Sequence, residues 1–488
     1  MPLTLDGGAF SYVSRSGTNG FVSLGNLNLA AGASDVLVNV GGTSGLGTAS
    51  VNFNSLATRS PGATLNFAAS GGAIGDNPFV TFSTAPTLVN GIIGGWATVT
   101  GLDDNAGGSN AEFATYDPAT GVRALTGSML TTLTVANTLA TNATPTANVR
   151  IGSTLVQTVA AGGETINSLT MSSFNSTAAA STISFANTGD TLTLASGGLL
   201  SGTDSAGRNI GTSAVRGQLT TGATQPELFL HNGANTLTIY SKIIDNGVAG
   251  GMNVVLDAMS QTATIIPTVA LANANTYQGT TYVNGIAVNL VNTTGAGNAI
   301  PGNLIITGGN NNGTDSLAIA NVLVQNLASE QIADTATVTV RGGSQYSTNG
   351  FAETIGNLVF NSQGGSNGGN GPQVSHRLRY ADHRFRRQHH GDEPDRCPRG
   401  SDHCRPAQSA GDDDRDGGFR HRRRGGRQRP DRSGHQLKYH QRGHDHQGRD
   451  RSAFSRRCEL RRQHHPFRQR HQRRDRARSQ CELRQHDD

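Results

Sequence analysis

The stretch LANANTYQGTTYVNGIAVNLVNTTGAGNAIPGNLIITGG, residues 271–309, decides how the whole chain is read. An Asn-Thr-Tyr corner at Asn275, Thr276 and Tyr277 leads into strand candidates at Thr280 to Asn284 and Ile286 to Leu290. After a Gly- and Asn-rich turn a third candidate, Asn303 to Thr307, closes on Gly308 and Gly309. β-Branched and aromatic residues in short runs, separated by Gly and Asn, favour extended backbone between tight turns. Strands this short bury too little apolar surface to stand alone, so they must be stacked on others.

The same idiom recurs outward from this stretch. Towards the N-terminus, strand candidates lie at Leu3 to Leu5, Phe21 to Leu24, Val36 to Val40, Val51 to Phe53, Thr64 to Phe67, Phe79 to Phe82 and Trp96 to Thr100. Further candidates follow at Asn148 to Ile151, Ser168 to Met171, Thr182 to Phe185 and Thr191 to Leu194. ATLNFAASGG (Ala63 to Gly72), DTLTLASGG (Asp190 to Gly198), NTLTIYSK (Asn235 to Lys242) and ATVTVRGGS (Ala336 to Ser344) share one order: small, Thr, apolar, polar, apolar, then a turn. Alternation of this kind points one face inward and one outward. Copies spaced by tens of residues indicate a repeat array.

These constraints predict an all-β chain whose residues 1–374 form one parallel β-solenoid, a right-handed β-helix. In such a fold each coil lends short strands to parallel sheets. Val, Ile, Leu and Ala fill a narrow interior with little room for rings, and Thr, Ser and Asn stack as hydrogen-bonded ladders. GGSNGGNG, residues 364–371, reads as turn or linker material.

At the residues quoted, the chain resembles the autotransporter-associated β-strand repeat of large bacterial surface proteins. That pattern runs through a Gly/Ala-Asn-Thr-Tyr corner, a Thr-Thr-Val-Asn strand and an Ala-Ile-Pro-Gly turn, here Ala274 to Tyr277, Thr280 to Asn284 and Ala299 to Gly302. Gln278 and the single Gly279 depart from it, as does the lead-in from Met259 to Pro267. GIIGGWATVTG (Gly91 to Gly101) and EFATYDPATGVRAL (Glu112 to Leu125) resemble a paired signature in one group of these proteins, and Glu353 to Phe360 resembles the closing segment. The resemblance covers most of Thr4 to Val374. It implies export to the extracellular or outer-membrane-associated cell surface. It further implies a structural passenger role in adhesion or surface coating, with surface glycans or other cell-surface components as partners. The alternative is a carbohydrate-active β-helix enzyme, a polysaccharide lyase or hydrolase.

Composition divides the chain in two. Up to Val374 there are 8 Lys and Arg against 17 Asp and Glu, whereas residues 375–488 hold 31 against 17. All four cysteines and every histidine except His231 lie in the second part, so no disulfide framework supports the first. No run of 18 apolar residues is present, so no transmembrane helix is expected. The start, MPLTLDGGAF, lacks a basic region followed by an apolar run. It fits a cytosolic protein or a fragment that begins inside a repeat, and the strand-like Leu3 to Leu5 favours the fragment.

An enzyme needs clustered acids or a base. Asp103 and Asp104 form the one acidic pair of the repeat region, with Glu112 and Asp117 nearby, and they read as a solvated loop. His231, at a strand end, has no partner in sequence. Asp76 in GGAIGDNPF is one position off a calcium-roll pattern that is not repeated, and reads as a turn. Trp96, Phe113 and Tyr116 read as caps on one end of the core. In the tail, Cys397, His403 and Cys404 lack the regular spacing of a zinc site. Its arginines are interleaved with acids and lack an aromatic ladder, which argues against nucleic acid. No residue is assigned a catalytic, cofactor-binding or metal-binding role, and no cofactor is expected.

Residues 375–488 are expected to be a disordered, Arg/His/Asp-rich tail, and one produced by a shifted reading frame. Thr, Asn, Val and Ile, abundant before Ser375, do not occur after it, and neither do Met and Trp. If each codon takes the last base of one true codon and the first two of the next, mostly C or G at third positions yields codons starting with C or G. Every Thr, Asn, Ile and Met codon starts with A, so all four vanish together. In the same shift Gly, Ala, Val and Asp become Arg after C, Thr and Ile become His, and Asn becomes Gln. Reversed from His376, HRLRYADHRFRRQ is compatible with Thr-Gly-Ser-Gly-Thr-Leu-Thr-Thr-Gly-Ser-Gly-Gly-Asn, the idiom of the repeat itself.

Overall fold

The computed structural model describes residues 1–42, 47–100, 111–152, 154–172, 180–203, 206–233, 235–259, 267–308, 322–362 and 371–376. All of them belong to one unit, Met1–His390. Asp103, Asp104, Cys397, His403 and Cys404 lie outside the described residues, as does almost all of the tail.

The described chain is nearly all strand, arranged in long sheets. Residues 3–124 build a five-stranded and a six-stranded sheet, and residues 131–375 build a twelve-stranded and a nine-stranded sheet. Two pairings of Ala111–Asp117, with Ala97–Thr100 and with Gly121–Ala124, are antiparallel, and the other paired strands run parallel.

In the second pair of sheets the chain passes repeatedly from one sheet to the other, except that Gln218–Thr221 is followed by Glu227–Asn232, and Lys242–Ile243 by Asn253–Ala258, within the twelve-stranded sheet. Asn148–Ile151 lies in the twelve-stranded sheet, Val156–Val159 in the nine-stranded one, Glu164–Met171 in the first again and Thr182–Phe185 in the second. A parallel pair cannot be closed by a tight turn and needs a crossover. Here the strand in the facing sheet is that crossover.

Register turns the period-two alternation into continuous apolar files. Val149, Leu169, Leu199, Leu230, Leu256, Val283, Ile306 and Val340 follow one another across the twelve-stranded sheet. Leu237, Val269, Val288, Val324 and Tyr346 do the same across the nine-stranded sheet. All of these are buried, and the two sheets share one apolar core. Each fully buried Leu or Val contributes roughly 1.5–3 kcal/mol relative to exposure. The files therefore supply the burial that a single four-residue strand lacks.

Side-chain ladders form as the composition predicts. Thr158 Oγ1 meets Ser184 Oγ at 2.8 Å, and Gln325 Nε2 donates to Asn289 Oδ1 at 2.7 Å. Asn54 Nδ2 donates to Asn26 Oδ1 at 2.7 Å in the five-stranded sheet.

Where the sequence reads as a single array from Thr4 to Val374, the strands sort into two stacks with separate apolar cores. The first stack ends in the antiparallel hairpin of Ala111–Asp117 and Gly121–Ala124, and the chain passes through the short 3-10 helix Gly127–Met129 into the second. The first core also holds more rings than expected, with Phe53 stacked on Phe82 at 5.7 Å and Phe82 against Tyr116 at 5.9 Å. Among the described residues no helix is long and apolar enough to cross a membrane.

Candidate functional site

The two stacks meet along the outward face of the twelve-stranded sheet, and this seam holds Glu112, Arg150, Glu227 and Asp257, four of the buried charged residues among the described ones. Arg150, Thr170, Leu200, His231, Asp257, Asn284 and Thr307 form one outward file, related strand to strand by register. By alternation alone such a file faces solvent, yet every member is buried. The first stack covers it.

Each charge on the seam meets a partner. Arg150 Nη1 donates to Glu112 Oε2 at 2.8 Å, with the two side chains 1% and 0% exposed, and Thr170 Oγ1 donates to Glu112 Oε1 at 2.6 Å. Burial pushes the Glu112 carboxyl above its usual range, against the opposing pull of Arg150, the Thr170 hydroxyl and the Phe113 N–H. Farther along, the Arg59 guanidinium pairs with Glu227, while Gly62 N donates to Glu227 Oε1 at 2.6 Å. Arg59 also lies 5.5 Å from the Trp96 ring centre and 5.4 Å from that of Phe229, so the cation is held by a carboxylate and two aromatic faces. Asn284 Nδ2 donates to Gly62 O at 2.7 Å, and Asn90 Nδ2 donates to Asn167 Oδ1 at 2.9 Å.

His231 is fully buried between Asp257 Oδ2, 2.8 Å from Nδ1, and Gly95 O, 2.7 Å from Nε2. A carbonyl oxygen only accepts, so Nε2 carries a hydrogen. Nδ1 faces a carboxylate oxygen at hydrogen-bond distance. The Phe229 ring stacks on the imidazole at 6.2 Å and Phe113 packs edge-on at 6.2 Å. A histidine oriented by a carboxylate is half of a catalytic triad, but the atom at its other nitrogen is a backbone carbonyl, which can neither attack nor give up a proton. The arrangement locks two strand stacks together.

Glycine permits the close approach. A Cβ on Gly198 would come within 2.7 Å of the Phe113 ring and 3.0 Å of the Gly95 Cα, and one on Gly95 would meet Ser196 O at 2.4 Å. Gly95 of the GIIGGWATVTG phrase is thus a contact residue of the seam. Trp96 and Phe113 lie there too, rather than capping the end of a core. Tyr116 stays with the first core, its hydroxyl donating to Phe82 O at 3.0 Å.

The acids singled out in sequence do not converge. Glu112 is spent on Arg150, whereas Asp117 Oδ1 accepts from Ala119 N at 2.7 Å and Thr120 N at 3.2 Å at the hairpin tip. Asp76 lies in a turn, its N–H donating to Ala73 O at 3.1 Å. Among the described residues no group of three or more His, Cys, Asp or Glu is placed to hold a metal ion.

Asp257 is the partner that linear reading of His231 missed. A signal existed: ELFLHN (Glu227–Asn232) and NVVLDA (Asn253–Ala258) align strand on strand, with His231 opposite Asp257. Arg59 and Glu227 had no such signal, because they belong to different stacks.

No protein-family model matches this chain, and no curated protein or solved structure matches it either.

Proposed function

We propose that residues 1–374 are a structural, non-catalytic passenger-like segment of a secreted bacterial cell-surface protein. In this reading each of the two strand stacks is a parallel β-solenoid, a right-handed β-helix, whose outer faces serve adhesion or surface coating. The observation that carries it is the repeated passage of the chain between two parallel sheets with unbroken inner apolar files, as in Leu230, Leu256, Val283 and Ile306. One circuit of the chain then equals one coil. The right hand follows from the general preference of parallel crossover connections.

The outer face of the nine-stranded sheet supports a neutral partner. Its strands contain one charged residue, Arg208, whose side chain is buried. Outward positions carry Thr158, Ser184, Asn209, Thr238, Asn289 and Gln325, half-buried hydroxyls and amides suited to the hydroxyl groups of surface glycans. The enzyme reading needs three or more carboxylates in one open groove, whereas Glu112, Glu227 and Asp257 each face a basic partner inside the seam.

The test is to display residues 1–374 on a non-adherent bacterial cell and to measure retention on immobilised neutral and acidic glycans alongside release of reducing ends. Retention without sugar release supports the reading. Release of reducing ends or unsaturated products that is lost in Glu112→Gln or His231→Asn replaces it with the enzyme.

A further inference from the structure

We propose that the last rung of the second stack, Asn357–Asn361 together with Gln373–Ser375, is a docking surface for further rungs of the same stack. The segment that covers it is the one encoded from His376 onward in the neighbouring reading frame. This rests on the coil reading above.

Three inner files end on this rung, and each ends on an uncovered apolar side chain. Val340 is 0% exposed and the next member of its file, Phe360, 54%; Val338 is 0% and Leu358 41%; Tyr346 is 2% and Val374 40%. The residue type continues the interior while the burial stops. Asn357–Asn361 and Gln373–Ser375 are also the final strands of their sheets, each paired on one side only among the described residues. A bare, apolar, parallel edge is a template for another strand.

The opposite end of the same stack is finished differently. There the one-turn helix Leu139–Asn142 lies against Val156–Val159, and its Leu139 is fully buried. Gln157 Oε1 accepts from Thr138 N at 2.8 Å and Leu139 N at 3.0 Å, while its Nε2 donates to Val135 O at 2.7 Å. Stacked repeats need such polar-faced end pieces. One end of the stack has one; among the described residues, none lies on the rung at Asn357–Asn361.

The identity of the occupant comes from the coding pattern. As written, Arg377, Arg379, Arg384, Arg386 and Arg387 follow the rung, and covering Leu358 and Phe360 with them would require desolvating guanidinium groups. The neighbouring frame is compatible with Thr-Gly-Ser-Gly-Thr-Leu-Thr-Thr-Gly-Ser-Gly-Gly-Asn, which carries no charge. Its Gly-Thr-Leu-Thr-Thr-Gly-Ser-Gly-Gly core repeats the order of Asp190 to Gly198, where Leu192 is the buried inward residue. The spacing fits as well. Four decoded residues separate Ser375 from the Thr-Leu-Thr run, and five separate Phe185 from Thr191 where the chain makes the same crossing between sheets. The decoded Leu is thereby placed to continue an inner file.

The test compares the full chain as written with the product of a gene lacking one base between the codons for Gly371 and Arg377. Hydrogen exchange of the amides of Asn357–Asn361 and Gln373–Ser375 is followed by mass spectrometry at two protein concentrations. The expected result is slowing by about 100-fold or more in the base-deleted product, independent of concentration and lost in its Phe360→Asp variant. Unchanged exchange in that product, or a stop codon within the next rung, overturns the proposal. Protection that grows with concentration in the chain as written makes a second copy the occupant and also overturns it. Circular dichroism of both products separates the two levels: loss of the β signal in the chain as written sinks the coil reading itself, while a retained β signal with unchanged exchange sinks only the docking proposal.

Discussion

Glu227 and Arg59, 168 positions apart, form an ion pair across the seam between the two strand stacks, with Glu227 2% exposed and Arg59 20%. The pair ties the end of strand Thr48–Arg59 in the first stack to the start of strand Glu227–Asn232 in the second. Removing one partner of a buried pair leaves an uncompensated charge, at a cost of about 3–5 kcal/mol. Arg59→Ala is expected near the lower end, because its partner keeps the Gly62 N–H and Arg59 is partly solvated. Urea unfolding checks this. A loss below about 1 kcal/mol, the size of a surface pair, would mean that the stacks are not held by this contact.

Gly198→Ala is expected to destabilise the seam by roughly 1–3 kcal/mol, the usual cost of overpacking, because its Cβ would enter the Phe113 ring. Gly189→Ala is the control, since a Cβ there meets nothing within 4 Å. Equal melting temperatures for the two variants would argue against the close approach of Gly95 and Gly198.

Stability should depend on pH through Glu112. Burial first, opposed by Arg150, Thr170 and the Phe113 N–H, raises its carboxyl above the ordinary 4.5. A group raised on folding contributes stability that is fully present below its unfolded value and is lost as pH rises through the folded one. Glu353 shifts upward too, burial again outweighing its hydrogen bonds from Gln331 and Ile332. Asp190 works in the opposite sense: the Gly162 N–H holds it below 3.8, so its contribution is lost as pH falls through the folded value. Glu112→Gln lowers stability overall by removing the carboxylate that faces Arg150, but it should flatten the decline above pH 4.5. Urea midpoints of both proteins across that range decide it, and parallel curves would exclude Glu112 as the source.

Leu230→Ala, in the middle of an inner file, is expected to cost about 2–5 kcal/mol, because rigid parallel rungs collapse poorly around the cavity. Denaturant titration of the two proteins measures it. A cost under 1 kcal/mol, as for a surface position, would place Leu230 outside the core.

Sequencing the DNA across the codons for Gly371 to Arg377 tests the origin of the tail. Restoring the frame is expected to open a stretch rich in Thr, Gly and Asn. If no such stretch follows, the tail is a genuine product and its composition needs another cause.

Local sequence determined the strands. Asn148 to Ile151 and Thr182 to Phe185 are strands over the very residues expected, because β-branched alternation bounded by Gly and Asn leaves the backbone few other choices. Thr191 to Leu194 was legible only in part: the strand runs on to Ser201 through Ser196, Gly197 and Gly198, which read as a turn. Gly198 is glycine there because Phe113 and Gly95 press against it, a demand made by residues about a hundred positions away. The outward file of Arg150, Thr170, His231, Asp257 and Asn284 likewise looks solvent-facing in sequence, since period two separates inner from outer but does not say what covers the outer face. Only the tertiary structure, by laying the first stack on that face, turned a lone histidine and scattered acids into paired, buried polar groups. The pairing depends on distances between strands that no local propensity encodes.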